Sequence, residues 1–346
     1  MTDYITLDLD SRVPKYMQII ESIIQNISRG HFKIGDKIPS IGKLSTEFYV
    51  SKDTVERAYK VLKKRNVIVS VQGKGTYIAD TQIISKPKIV FFVNKLSTYK
   101  MKIYNSFLKK MGDSAQVDLH SFHCDESLFL DLMTRHKDAY DYFVIMPHFR
   151  TPNLGHISYT EKINKVLDAI PKENLIILDN NEHQIKGDFI EVYQDFESDI
   201  YNALTEGKEK IKKYKTISLV YPKTSFYPYP RKILKGFLNF CAENNFQFEI
   251  LEEVTKEIEL KKESLFITIE DEHLVNLVNQ IKKNKYILGK DIGVISYNDT
   301  PLKQLLDITV LSVKFDDMGK QAAEMVLENK KGKVKTPFSF IQRNSL

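Results

Sequence analysis

The sequence predicts a two-part chain: a small α+β unit of three helices closed by a β-hairpin, followed by a two-lobed α/β domain with parallel sheets. Apolar residues recur at helical spacing three times before residue 65, and a pair of short apolar runs then flanks Gly73-Lys74-Gly75. From residue 88 onward, short apolar runs alternate with amphipathic stretches, which predicts strands alternating with helices and hence parallel sheets. About ten such runs are more than one sheet usually holds, so two lobes are expected.

Residues 14–28, PKYMQIIESIIQNIS, place Tyr16, Ile19, Ile20, Ile23, Ile24 and Ile27 on one helical face, and Gly30 ends the run. Gly35-Asp36 marks a turn. Ser40 is placed to cap a short helix that carries Leu44 and Phe48 inward. A turn at Tyr49-Val50 leads to Ser51, a second cap. The third helix, from about Lys52 to Lys64, groups Val55, Ala58, Tyr59 and Leu62. VIVSVQ, the glycine turn and TYIA then form the hairpin, so the order is that of a winged helix-turn-helix. This predicts a first domain over 1–79, a linker over 80–88 and a second domain over 89–346. In the second, strands are expected at 88–94, 116–124, 142–147, 174–180, 189–193, 216–222, 246–254, 264–270, 291–297 and 308–315, with helices between them and a last helix at 316–329.

Apolar residues make up 42% and charged residues 28% of the 346, ample for buried cores. No uncharged apolar run is long enough to span a bilayer, and the early Asp residues leave no secretory signal, so a cytoplasmic protein is expected. Cys124 and Cys241 lie far apart, which predicts reduced thiols, no metal site and no cofactor. Residues 11–79 hold 13 Lys and Arg against 5 Asp and Glu; with a net charge of +6 for the chain, a surplus of eight there leaves −2 elsewhere. A basic unit on a near-neutral one suggests a polyanionic partner, the alternative being a solvated basic face.

An α-helix fits the major groove of B-DNA, and its first turns carry side chains to base edges and phosphates. Ser51, Lys52 and Thr54 open the third helix, and Arg57 follows one turn on. The hairpin tip, Gly73-Lys74-Gly75-Thr76, is small and cationic, so its backbone can approach DNA closely. With these residues in place, positions 14–79 resemble the GntR family of winged-helix repressors through PKYMQIIESI, GHFKIGDKIPS, VSKDTVERAYKVL and VQGKGTYIA. The resemblance implies DNA contacts at Ser40, Ser51, Lys52, Thr54, Arg57, Gly73, Lys74, Gly75 and Thr76. Where the family usually has an arginine two places after the PS serine, this chain has Gly42, and Lys43 beside it is the candidate cation. Lys52 replaces a common arginine and loses its bidentate geometry.

The larger domain shows no GxSxG, Walker loop, HExxH or strand-borne GxGxxG, so no catalytic constellation is expected. Ligands of two-lobed α/β domains bind at strand C-terminal ends. Those loops supply Tyr99, His148, Phe149, Arg150, Asn180, Phe226, Tyr227, Arg231, Glu270, Asp271, Asn298 and Asp299. Aromatic faces beside Asn, Asp and Arg suit a polyol. GKDIGVISYNDTPL, ITVLSVKFDDMGKQAAEMVLE, RKILKGF and VYQDFESDIYNAL resemble the sensor domain of LacI-type repressors and the related periplasmic-binding-protein-like sugar binders. That resemblance implies ligand contacts at Arg231, Glu270 and Asn298, with Asn298 in place of the usual acid and Glu270 in place of an Asn-type residue. The candidate ligand residues are Tyr99, His148, Phe149, Tyr227, Arg231, Glu270 and Asn298. GntR-type heads on LacI-type sensors imply a repressor of carbohydrate-use genes, with double-stranded operator DNA, a monosaccharide-like effector and a homodimer over a palindromic site. The rival expectation is an enzyme localised by a DNA-binding head.

Overall fold

The computed structural model describes residues 4–8, 11, 13–79 and 86–346. They fall into two compact units that part between Pro87 and Lys88. Most of the expected linker, residues 80–85, lies outside the described residues.

In the first unit, α1 (Lys15–Ser28), β1 (Lys37–Ile38), α2 (Ile41–Glu47), α3 (Lys52–Lys64), β2 (Ile68–Val71) and β3 (Gly75–Ile78) follow in order. The two serine caps form as their chemistry dictates: Ser40 Oγ accepts from the Lys43 amide at 3.2 Å, and Ser51 Oγ from the Thr54 amide at 3.2 Å. The inward residues of the three helices meet in one core around Ile19, Ile23, Leu44, Val55, Ala58 and Leu62, with Phe32 and Ile78 closing it. Buried Tyr59 donates its hydroxyl to the Pro39 carbonyl at 2.5 Å, which fixes the entry to α2. β1 pairs antiparallel with β3, making a three-stranded sheet of order β1-β3-β2 where the sequence suggested only a hairpin.

The second unit opens with β4 (Lys88–Val93), α4 (Thr98–Met111), β5 (Gln116–Ser121), α5 (Glu126–His136), β6 (Tyr142–Ile145), β7 (Phe149–Arg150), β8 (His156–Ile157), α6 (Glu161–Asp168), β9 (Leu175–Asn180) and β10 (Ile190–Gln194). It continues through α7 (Phe196–Glu206), α8 (Lys208–Ile211), β11 (Thr216–Val220), α9 (Arg231–Glu243), β12 (Gln247–Leu251), β13 (Ser264–Thr268), α10 (Asp271–Lys283), β14 (Ile292–Tyr297), α11 (Pro301–Leu305), β15 (Thr309–Val313), α12 (Phe315–Leu327), β16 (Gly332–Lys335) and β17 (Phe338–Ile341).

Two six-stranded sheets result, β16-β10-β9-β6-β4-β5 in one lobe and β12-β11-β13-β14-β15-β17 in the other. The first is wholly parallel; in the second, β17 runs antiparallel on β15, a departure from the all-parallel expectation. Strands buried on both faces read as continuous apolar runs. In β4, Ile89, Phe91 and Val93 enter one layer while Val90 and Phe92 enter the other.

The chain passes between lobes three times, after β10, after β15 and between β16 and β17. Each crossover helix packs in the lobe it enters. Ile200, Ala203 and Leu204 of α7 join the core of the second sheet, and Met318, Ala322 and Ala323 of α12 join that of the first. Both close helix contacts use a glycine. A Cβ on Gly236 of α9 would run into the Glu197 carbonyl of α7, and one on Gly319 of α12 into the Ile103 carbonyl and Ser106 hydroxyl of α4. Gly319→Ala is therefore expected to force α12 off α4 and to cost about 1–3 kcal/mol, the usual penalty of overpacking. Urea unfolding followed by circular dichroism measures it, and an unchanged midpoint would refute the close packing.

Candidate functional site

Two sites emerge, one in each unit. In the first, the caps set Ser40 and Ser51 at the starts of α2 and α3, and Ser51 Oγ also lies 2.8 Å from Thr54 Oγ1. Lys43, Lys52 and Lys74 are exposed and form no ion pair with described residues. Arg57 is exposed too, but its guanidinium lies over the ring of Tyr16 at 4.0 Å. At the hairpin tip, Gly73 (φ +74°) and Gly75 (φ +120°) occupy backbone conformations that favour glycine, and Thr76 Oγ1 pairs with Ser70 Oγ at 2.9 Å. All ten sequence-predicted DNA residues thus lie on α2, α3 or the hairpin, at exposed or half-buried positions.

In the second unit, the C-terminal strand ends of the two lobes face each other across a cleft. An outer cavity of about 330 Å³ is lined from the first lobe by Lys95 and Tyr99, and from the second by Tyr227, Tyr229, Glu270 and Asn298. It shares Lys95, Tyr99, Tyr229, Tyr297 and Asn298 with a narrow inner recess of about 50 Å³ that is lined also by His148 and Asp179. Lys95 Nζ stands 4.8 Å from the ring centre of Tyr229, 5.6 Å from that of Tyr227 and 5.7 Å from that of Tyr99. Lys303, itself buried, donates to the carbonyls of Tyr297 at 2.5 Å and Asn298 at 3.1 Å and pairs with Asp271 at 2.8 Å. That fixes the loop on which Asn298 sits at φ +64°.

The floor of the recess is a buried charge network. Asp179 pairs with Lys100, accepts from Gln194 Nε2 at 2.5 Å and lies 2.8 Å from His148 Nε2. Burial alone would raise the Asp179 carboxyl, but the Lys100 ammonium and the His148 hydrogen bond outweigh it and hold the group well below the usual carboxylate range. Burial and Lys100 lower His148, and burial together with His148 pushes half-buried His156 well below the ordinary imidazole value. Two neutral rings fit the geometry: His156 Nε2–H donates to His148 Nδ1 at 2.9 Å, and His148 Nε2–H donates to Asp179. Two residues of the recess, Asn94 and Tyr297, each bury a polar atom, Oδ1 and the hydroxyl, that has no hydrogen-bond partner among the described residues.

Of the expected ligand residues, the cavity and its recess bring together Tyr99, His148, Tyr227, Glu270 and Asn298. Phe149 is corrected: it is wholly buried against Phe122 and Phe129 in the core of the first lobe, because β7 turns it away from the cleft. Arg231 is displaced from the group as well. It lines a separate opening with His156, Glu182 and Lys232. Arg150 pairs with Asp125 at 2.9 Å, Asn180 bonds Ser158 at 2.7 Å and Asp299 pairs with Arg343 at 2.9 Å, so these three serve the walls. Sequence reasoning missed Asn94 and Lys95, although both directly follow the first apolar run, and missed Tyr229, two residues from Tyr227.

Residues 15–78 match the family model for bacterial regulatory proteins of the gntR family, and residues 211–345 that for a periplasmic binding protein-like domain. The mannosyl-D-glycerate transport/metabolism system repressor MngR of Escherichia coli (strain K12) is 29% identical over 149 residues, 43% of this chain and 54% of that protein. The HTH-type transcriptional repressor YtrA of Bacillus subtilis (strain 168) is 38% identical over 76 residues, 22% of this chain and 58% of that protein. The chain thus spans little more than half the length of these curated relatives. Among solved structures, the trehalose repressor from Escherichia coli matches 74% of this chain and all of that one, with TM-score 0.57 and 14% identity. The lac repressor dimer bound to operator and the anti-inducer ONPF matches 75% of this chain and 92% of that one, with TM-score 0.56 and 14% identity. Both likenesses are of fold. Among the described residues, no helix is long and apolar enough to cross a membrane.

The histidine pair carries a pH dependence. Both rings bind protons more weakly folded than unfolded, so their contribution is fully present above the unfolded value of about 6.5 and is lost as pH falls below it. Each ring can cost at most about 1.4 kcal/mol per pH unit. The urea midpoint of the second unit is expected to drop between pH 7.5 and 5.5, and to drop less in His156→Gln. Equal midpoints at both pH values would show that the rings are not held neutral.

Proposed function

We propose that this chain, with its GntR-type DNA-binding region at 15–78 and its periplasmic-binding-protein-like region at 211–345, is a transcription repressor whose grip on operator DNA is set by a small carbohydrate in the interlobe cleft. The observation that carries the reading is the row of exposed cations without acidic partners among the described residues, Lys43, Lys52 and Lys74, set around the capped start of α3 and the glycine tip of the hairpin. Such a surface neutralises phosphates, while Ser51, Thr54 and Arg57 reach base edges or backbone. Ser40, Gly73, Gly75 and Thr76 bring the main chain close.

The cleft supports the effector half. Three tyrosine faces offer stacking surface for a sugar ring, and Lys95, Glu270 and Asn298 beside them offer polar groups to its hydroxyls. The names of MngR and the trehalose repressor, and the anti-inducer of the lac repressor, point the same way. In this reading two copies span a palindromic operator with half-sites roughly 34 Å apart. Ligand closes one lobe on the other, and a coupling of about 1–3 kcal/mol changes DNA affinity 5- to 150-fold.

With a duplex selected from a random pool by the wild-type protein, Arg57→Ala is expected to weaken binding by about 5- to 100-fold in fluorescence anisotropy. Wild-type affinity in the variant would remove Arg57 from the interface. For the cleft, a thermal-shift screen of monosaccharides and their phosphates at millimolar concentration is expected to yield at least one stabilising compound, and Tyr99→Ala to abolish that shift. A shift unchanged by Tyr99→Ala would move the ligand elsewhere.

A further inference from the structure

Arg57 leaves α3 on its exposed side and lies flat on Tyr16, with its guanidinium carbon 4.0 Å from the ring centre and Nη2 3.4 Å from the Tyr16 hydroxyl. The two are 41 residues apart, so the stack ties the first turn of α1 to the second turn of α3. Other cations of this face are held differently or not at all. Lys60 is drawn to Glu56 at 3.1 Å, and Lys43 and Lys52 have no ion pair with described residues. Arg57 likewise has no carboxylate partner among the described residues, and the aromatic face is what orders it.

A free arginine samples many rotamers, and fixing it on a phosphate or a guanine costs that freedom at the moment of binding. A stack settles the choice beforehand. It uses the guanidinium face, while most of the N–H donors stay at the edge and remain available for a bidentate contact. Tyr16 is suited to the task because its own ring is half-buried against the core of the first unit, which anchors the platform.

We propose that Tyr16 is a positioning residue for DNA recognition: it pre-orders Arg57 for the nucleic acid without touching it. The inference rests on the reading that Arg57 meets DNA. A purely structural tyrosine would act equally whatever stood at position 57, and a direct DNA contact would do the same.

A double-mutant cycle on the full chain separates these. With the duplex selected by the wild-type protein, Tyr16→Leu is expected to weaken binding about 2- to 5-fold, the worth of an exposed cation–π contact. In an Arg57→Ala background the same change is expected to add less than about 1.5-fold. Tyr16→Phe, which keeps the ring face, is expected to bind within about twofold of wild type. Far-UV circular dichroism checks the fold, and Tyr16→Met replaces the leucine variant if that unfolds. An equal loss in both backgrounds, or no loss in Tyr16→Leu alone, overturns the proposal. If Arg57→Ala itself binds like wild type, the DNA role of Arg57 fails first, and the failure is visible in that single variant.

Discussion

The constraint on which the second unit depends is that its chain changes lobe three times. Leaving β10, β15 and β16, it enters the other sheet each time, so neither sheet is complete until the last strands are placed. The swap of α7 and α12 into the lobes they enter makes the two cores interdependent, and Gly236 and Gly319 let the swapped helices approach their neighbours' backbones. Parallel strands fed through such crossings point their C-terminal ends at one another. The cleft is a consequence of that topology, and the residues that follow strand ends become its walls.

The contacts that span the cleft are of modest strength. His123 Nδ1 meets the Tyr227 hydroxyl at 3.0 Å, Lys232 pairs with Glu182 at 3.0 Å, Arg150 sits over Phe226 at 4.1 Å and the Ser225 amide donates to the Leu154 carbonyl at 3.1 Å. Partly exposed pairs of this kind contribute about 0–1 kcal/mol each. The buried Lys100–Asp179–His148 network lies wholly within the first lobe. A buried ion network thus lies inside the first lobe, while the contacts across the cleft are partly exposed. Open and closed forms separated by a few kcal/mol are what a ligand of ordinary affinity can redistribute.

Much of this was legible in the sequence because it is local. The caps at Ser40 and Ser51, the helical faces of α1 and α3 and the glycine hairpin depend on residues within a turn of one another. The long apolar strands announced themselves as well. What escaped depends on distant partners. β1 is two residues long and exists only through β3. GKVK carries little apolar signal and FSFI is only four residues long, so neither reads as a strand by itself, yet β16 extends the first sheet and β17 the second. Lys100 and Asp179 lie 79 residues apart, and no pattern in either neighbourhood announces the pair. Phe149 departs from its expected place because the short hairpin of β7 and β8 reverses the chain and returns that ring to the core.

If the basic first unit meets nucleic acid through its phosphates, the wild-type chain's affinity for duplex DNA depends steeply on salt, and a titration of affinity against salt concentration measures it directly. Release of counterions from about four phosphates per bound copy predicts a line of log affinity against log salt with a slope of roughly −4 for each copy on the duplex. A slope near zero, or no measurable affinity at low salt, would contradict the account.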